Sequence, residues 1–142
     1  MGCTVVVLAV ALSIILWPEG TTAPIEEPAA KITSVTDAPM SSFIGDYSYT
    51  GPVDENGKPD GTGSASFDDG RSYKGPFVHG VMQGEDAHFK MANGDTFEGE
   101  FRDNRFYIGQ YTVSDDGSYF KGSFKNGQPD QGQWYDKNGH RL

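Results

Sequence analysis

A chain of 142 residues suits one modest domain with a further segment at an end. Its 19 glycines and 13% aromatics together exclude a disordered chain, which is poor in rings, and a helical bundle, which is poor in glycine. The formal charge of −9 argues against nucleic acid as a partner, because neutralising phosphates takes clustered Lys and Arg.

The chain opens on an uncharged apolar run, "CTVVVLAVALSIILW", from Cys3 to Trp17. It is shorter than the roughly 20 apolar residues that span a bilayer comfortably, and it matches the apolar core of a secretory signal. No Lys or Arg precedes it, and its best small-residue cleavage site, ending at Ala23, is followed by Pro24. Residues 1–23 therefore read as an N-terminal apolar helix that is either a signal peptide or an uncleaved signal anchor. Either way the chain is expected to be membrane-anchored or secreted, with membrane contact through residues 3–17. Val6 stands where the myristoylation pattern wants Ser or Thr, and Cys3 is too near the start for a lipoprotein signal. Cys3 is also the only cysteine, so no intrachain disulfide forms. Residues 24–46 are rich in Pro, Ala, Ser, Thr and acids without a sustained period, and they read as a flexible linker.

From residue 47 to 142 the sequence repeats itself. The units "YTGPV" (from Tyr49), "YKGPF" (Tyr73), "FEGEF" (Phe97) and "FKGSF" (Phe120) start 24, 24 and 23 residues apart. A period in this range marks a repeat architecture, with units near 49–72, 73–96, 97–119 and 120–142. Side chains alternate along a strand, so Phe97, Gly99 and Phe101 share one face while Glu98, Glu100 and Arg102 share the other. A glycine inside a strand marks a close approach, and here the expected visitor is a ring from a neighbouring strand. The pairs Asp69-Gly70, Asn93-Gly94, Asp116-Gly117 and Asn138-Gly139 are hairpin signals, read as two-residue turns with positive φ at both positions. A second set of turns falls at Asn56-Gly57, His79-Gly80, Asp103-Asn104 and Asn126-Gly127. Second strands are expected at 61–67, 84–91, 108–113 and 131–135, giving eight short strands in a meander.

This pattern resembles the MORN (membrane occupation and recognition nexus) repeat. The residues that carry the likeness are the aromatic-x-Gly starts at Tyr49, Tyr73, Phe97 and Phe120 with Gly51, Gly75, Gly99 and Gly122. To these are added Gly63 and the closing turn glycines Gly70, Gly94, Gly117 and Gly139. The second unit departs from it with Asp86 where the second of two paired glycines is expected, and the third and fourth with Tyr107 and Gln131 where the first is expected. The resemblance implies an all-β fold: a single-layer, elongated, twisted antiparallel sheet of stacked hairpins, in which each unit leans on its neighbours.

No catalytic residue, metal ligand or cofactor is expected. His79, His88 and His140 fall in a turn, a strand and the tail without a recurring nucleophile partner. Asp54 to Gly61 faintly resembles a calcium loop but has Ala65 where the twelfth-position Glu belongs. The feature with functional potential is the aromatic stripe Tyr73, Phe77, Phe97, Phe101, Tyr111, Phe120, Phe124 and Trp134. Its rings either pack only one another or leave a groove for a peptide or a second copy of the chain. The reading is a non-enzymatic scaffold that binds a protein partner or itself, through the stripe or the terminal edge near "QWYDKNGHRL". Lipid association is the alternative that the family's name suggests. From Tyr47 onward 10 Lys and Arg face 15 Asp and Glu, and that balance disfavours it.

Overall fold

A stretch of the form ring-x-Gly-x-ring, held extended, puts both rings and the glycine on one face and leaves the other face polar. The computed structural model describes residues 4–7 and 33–142, which form one open antiparallel sheet. Its strands are β1 (Thr4–Val7), β2 (Thr33–Ser42), β3 (Gly45–Val53), β4 (Gly61–Phe67), β5 (Ser72–Val78) and β6 (Val81–Met82). They continue as β7 (Gly84–Lys90), β8 (Thr96–Arg102), β9 (Arg105–Thr112), β10 (Tyr119–Lys125) and β11 (Gln128–Tyr135). All but β6 lie side by side in chain order, and β6 pairs β5 off that path. The eight expected strands are β3, β4, β5, β7, β8, β9, β10 and β11, so the repeat is a string of hairpins.

The strands alternate as their sequence dictates. In β4 Gly63, Ala65 and Phe67 are buried between exposed Thr62, Ser64 and Ser66, and in β5 Tyr73, Gly75 and Phe77 are buried. The core therefore lies on one face of the sheet, with Tyr49, Tyr73, Phe97 and Phe101 its most completely buried large side chains. Opposite, the pairing registers align Ser64, Lys74, His88, Glu98, Gln110, Lys121 and Gln133 across seven strands as a polar row.

A row of minimal side chains runs across the sheet beneath the rings. Gly63 faces Gly75, and Ala87, Gly99, Gly109, Gly122 and Gly132 face one another in turn on successive strands. A Cβ on Gly75 would meet the Tyr73 hydroxyl at 2.7 Å, one on Gly109 the Phe97 ring at 2.8 Å, and one on Gly132 the Phe120 ring at 2.6 Å. The ring over Gly63 is that of Tyr49. The first ring of each unit thus fills the gap, reaching across from the neighbouring strand at Gly63, Gly109 and Gly132. In the second unit Ala87 occupies the row, and Asp86, at the expected glycine, sits in a bulge with φ +58.

The two sets of turns differ from the expected assignment. At Asp69-Gly70, Asn93-Gly94, Asp116-Gly117 and Asn138-Gly139 only the glycine has positive φ. Each closes with paired bonds such as Gly70 N–H to Phe67 O at 3.1 Å and Phe67 N–H to Arg71 O at 2.9 Å, the pattern of a turn followed by a glycine bulge. A side chain ahead of each glycine favours this form: Asp69, Asn93, Asp116 and Asp136 accept bonds from N–H groups just beyond them. In the other set only the glycine of Asn56-Gly57 has positive φ, while three turns have two left-handed residues: His79-Gly80 (φ +47, +86), Asp103-Asn104 (+49, +62) and Asn126-Gly127 (+52, +76). These join strands that pair at Val78 with Val81, Arg102 with Arg105 and Lys125 with Gln128.

The linker expected over 24–46 gives way to structure from Thr33 onward. Thr33–Ser42 is a strand that pairs with β3, and its Ala38 is buried. Val35 and Met40 pack against the core from the same strand. The alternation is disguised by a bulge, where Asp37 takes φ +48 and its N–H bonds the Thr50 hydroxyl at 3.0 Å. Thr4–Val7, at the start of the apolar run expected to be helical, pairs with β2 as a strand, as its β-branched composition favours. The rest of the signal or anchor segment, and residues 24–32 of the linker, lie outside the described residues. Among the described residues no helix is long and apolar enough to cross a membrane.

Candidate functional site

The aromatic stripe is held by repeat geometry. In each of the last three units the first and second rings of the motif stand edge to face: Tyr73–Phe77 at 5.0 Å, Phe97–Phe101 at 5.5 Å and Phe120–Phe124 at 5.4 Å. The first ring of one unit also meets the second ring of the next: Tyr49–Phe77 at 5.1 Å, Tyr73–Phe101 at 5.0 Å and Phe97–Phe124 at 5.3 Å, with interplanar angles of 79°, 76° and 90°. The rings form a continuous zigzag in the favoured edge-to-face arrangement. The buried phenols are satisfied locally, since Tyr49 donates to Pro52 O at 2.8 Å and Tyr73 to Pro76 O at 2.7 Å. Burial pushes the Tyr49 hydroxyl up to about 12.

The structure brings all eight stripe residues to one face. Tyr73, Phe77, Phe97, Phe101, Phe120 and Phe124 are buried, while Tyr111 and Trp134 are half-buried beside Phe97 and Phe120. Most of the stripe is therefore sealed against itself. The accessible region lies beside it, in an apolar groove of roughly 300 Å³ lined by Ile44, Met82, Met91 and Phe106, with Arg71 and Arg105 at its rim. Arg71 is committed within the chain, to Asp69 at 2.7 Å and to Ile44 O at 2.7 Å, over the Phe67 ring. Arg105 is exposed.

Phe106 stacks on Phe97 at 4.2 Å and meets Phe101 and Phe124 edge-on, yet it lies outside the ring-Gly-ring motif. Its place recurs two residues after the second turn of every unit, as Pro59, Met82, Phe106 and Pro129. Each is paired across the hairpin with the residue closing the motif: Val53, Phe77, Phe101 and Phe124. Alignment by position, rather than by residue type, is the signal that finds it.

Two polar clusters lie outside the repeat pattern. Asp95 is the buried charged residue of the described chain. Its carboxylate accepts from Ser114 N–H at 2.8 Å, the Ser114 hydroxyl at 3.0 Å, Asn93 Nδ2 at 2.9 Å and the Tyr111 hydroxyl. The Ser114 N–H, then the Tyr111 hydroxyl, hold this carboxyl down at about 2. Burial, and after it the hydrogen bond to Asp95, push Tyr111 up to about 12. This knot fastens the turn after β7 to the end of β9 and has the character of a structural lock.

The second cluster joins units. Asp54 and Asp60 come from the loop of the first unit and His79 from the turn of the second; their ligating atoms all lie within 4.8 Å of one another. His79 Nδ1 is 2.9 Å from Asp54 Oδ2 and 3.2 Å from Asp60 Oδ2. The hydrogen bond to Asp54, then the charge of Asp60, raise the imidazole's pKa, and the same bond to His79 lowers that of Asp54. His88 likewise faces Glu98 at 3.4 Å and His140 faces Asp136 at 2.9 Å. Comparison with protein-family models and with curated proteins finds no match to this chain.

Proposed function

We propose that this chain is a non-enzymatic repeat scaffold of the MORN type, membrane-anchored or exported, whose sheet binds a segment of a protein partner. The observation that carries the reading is the groove beside the sealed stripe. Its lining of Ile44, Met82, Met91 and Phe106 is apolar, and Arg105 stands exposed at its rim. Such a surface suits a short apolar segment bearing a carboxylate, because apolar area supplies affinity and the guanidinium fixes register. The family reading rests on the ring-x-Gly units at Tyr49, Tyr73, Phe97 and Phe120, and the anchored or exported placement on the apolar run of residues 3–17.

Photo-cross-linking from the groove of the full chain, with a probe at Met91, tests this. A protein cross-link that disappears in Arg105→Glu and persists in Lys121→Glu, on the opposite face, supports the reading. Cross-linking that is indifferent to Arg105→Glu overturns it. Retention of the full chain on anionic vesicles that Arg105→Glu abolishes would replace it with lipid association through the repeats.

A further inference from the structure

We propose that Asp54, Asp60 and His79 form a divalent transition-metal site, of the kind zinc takes, that clamps the first repeat unit to the second. Three donor atoms converge there from two units, with His79 Nδ1 2.9 Å from Asp54 Oδ2 and 3.2 Å from Asp60 Oδ2. Tetrahedral ligands about 2.1 Å from a zinc ion stand about 3.4 Å apart, close to both His79 separations, and all three ligand atoms lie within 4.8 Å of one another. One imidazole beside two carboxylates favours zinc or a neighbouring transition metal over calcium, which takes six or more oxygens. His79 is exposed, which leaves the fourth position open to water.

The donors are positioned before any ion arrives. Asp54 Oδ1 accepts from the N–H groups of Asn56 and Lys58, both at 2.9 Å, which fixes the carboxylate with Oδ2 turned to His79. Its side chain is only 10% exposed. His79 is held on its left-handed turn by Gly80 N–H to Pro59 O at 2.7 Å and by its own N–H to Asp60 Oδ2 at 3.1 Å.

The next junction shows how little of this the fold itself requires. There Asp103 N–H bonds Gln83 Oε1 at 3.0 Å, and Asn104 N–H bonds Met82 O at 3.1 Å, repeating both contacts of the His79 turn. A neutral Gln does the work of Asp60, Asp103 replaces His79, and Val78 stands where Asp54 does. Two carboxylates and an imidazole are therefore surplus to joining hairpins. Even with the imidazole protonated, two carboxylates leave the trio one positive charge short, with Lys58 the neighbouring cation.

Zinc titration of the tag-free full chain, by calorimetry and by thermal melting, tests the site. One ion bound per chain, with Tm rising as zinc is added, is the expected result. Asn tolerates the left-handed backbone, so His79→Asn is expected to keep the metal-free Tm close to wild type while weakening zinc at least tenfold. Asp60→Asn retains an acceptor for the His79 N–H and should weaken zinc similarly. His88→Asn and His140→Asn are expected to bind as wild type. No saturable zinc binding, binding unchanged by His79→Asn, or calcium binding as tightly as zinc would each overturn the proposal.

Discussion

Tyr73 stands edge-on to Phe101 of the following unit, 5.0 Å between centroids and 76° between planes, and both rings are fully buried. Phe101 also meets Phe89, Phe97 and Phe106, so it gathers rings from three strands besides its own. A sheet with its core on one face depends on such contacts for cohesion. Phe101→Ala should therefore lower stability by about 3–5 kcal/mol, whereas Phe43→Ala, at a position 80% exposed, should stay within about 0.5 kcal/mol. Urea midpoints of the two variants of the full chain provide the check.

Glycines serve two separable purposes here. At Gly109 a Cβ would collide with the Phe97 ring at 2.8 Å and with Glu98 O, so Gly109→Ala must displace a buried ring or push neighbouring strands away from each other. At Gly70 nothing lies within 4 Å, and only φ +92 opposes a side chain. Gly70→Ala should cost about 1–2 kcal/mol, Gly70→Asn less, and Gly109→Ala more than either. If thermal melts of the three variants put Gly109→Ala at or below the cost of Gly70→Ala, the ring does not need that gap.

The Asp95 knot predicts a particular acid response. A carboxyl held at about 2 in the folded chain, against an ordinary 3.8, contributes stability that is complete above the ordinary value and is lost as pH falls toward 2. Asp95→Asn should be less stable than wild type at pH 7, and the gap should narrow between pH 4 and 2. Melting curves of both proteins across that window decide it; a gap independent of pH would mean the charge is not what matters.

Asn104 combines backbone and side-chain roles. It sits at φ +62, and its Oδ1 accepts from the N–H of Met82, a buried residue, at 2.8 Å. Asn104→Ala loses the acceptor and strains the turn, for about 2–4 kcal/mol, while Asn104→Asp keeps both and should cost far less. Denaturant midpoints that rank the two variants equally would contradict this division.

The repeating hairpins are legible in the sequence because alternation and glycine spacing are local signals, and Tyr73, Phe97 and Phe120 lie on the face that alternation assigns them. The first set of turns takes the bulged form rather than the expected one because an Asp-Gly or Asn-Gly pair serves either geometry. At Asp69-Gly70 the carboxylate accepts the Arg71 N–H at 3.1 Å, while the left-handed pair Asp103-Asn104 contains no glycine at all. Strand β2 reads as linker because one bulge at Asp37 breaks its period. The groove and the Asp54–Asp60–His79 cluster are hidden from the sequence, since each depends on residues that only pairing between units brings together.

The zigzag of rings makes the unit interchangeable. Tyr49 meets Phe77 as Tyr73 meets Phe101, at 5.1 and 5.0 Å, so excising residues 73–96 would offer Tyr49 an equivalent ring, Phe101, in an equivalent place. Length can then be lost or gained in whole modules of 24 residues without redesigning a junction, as track is laid from identical sections. Two polar places are the exception: after such a deletion Asp103 would arrive opposite Asp54 and Asp60, and Tyr111 and Ser114 would lose Asp95, so both would register the missing section.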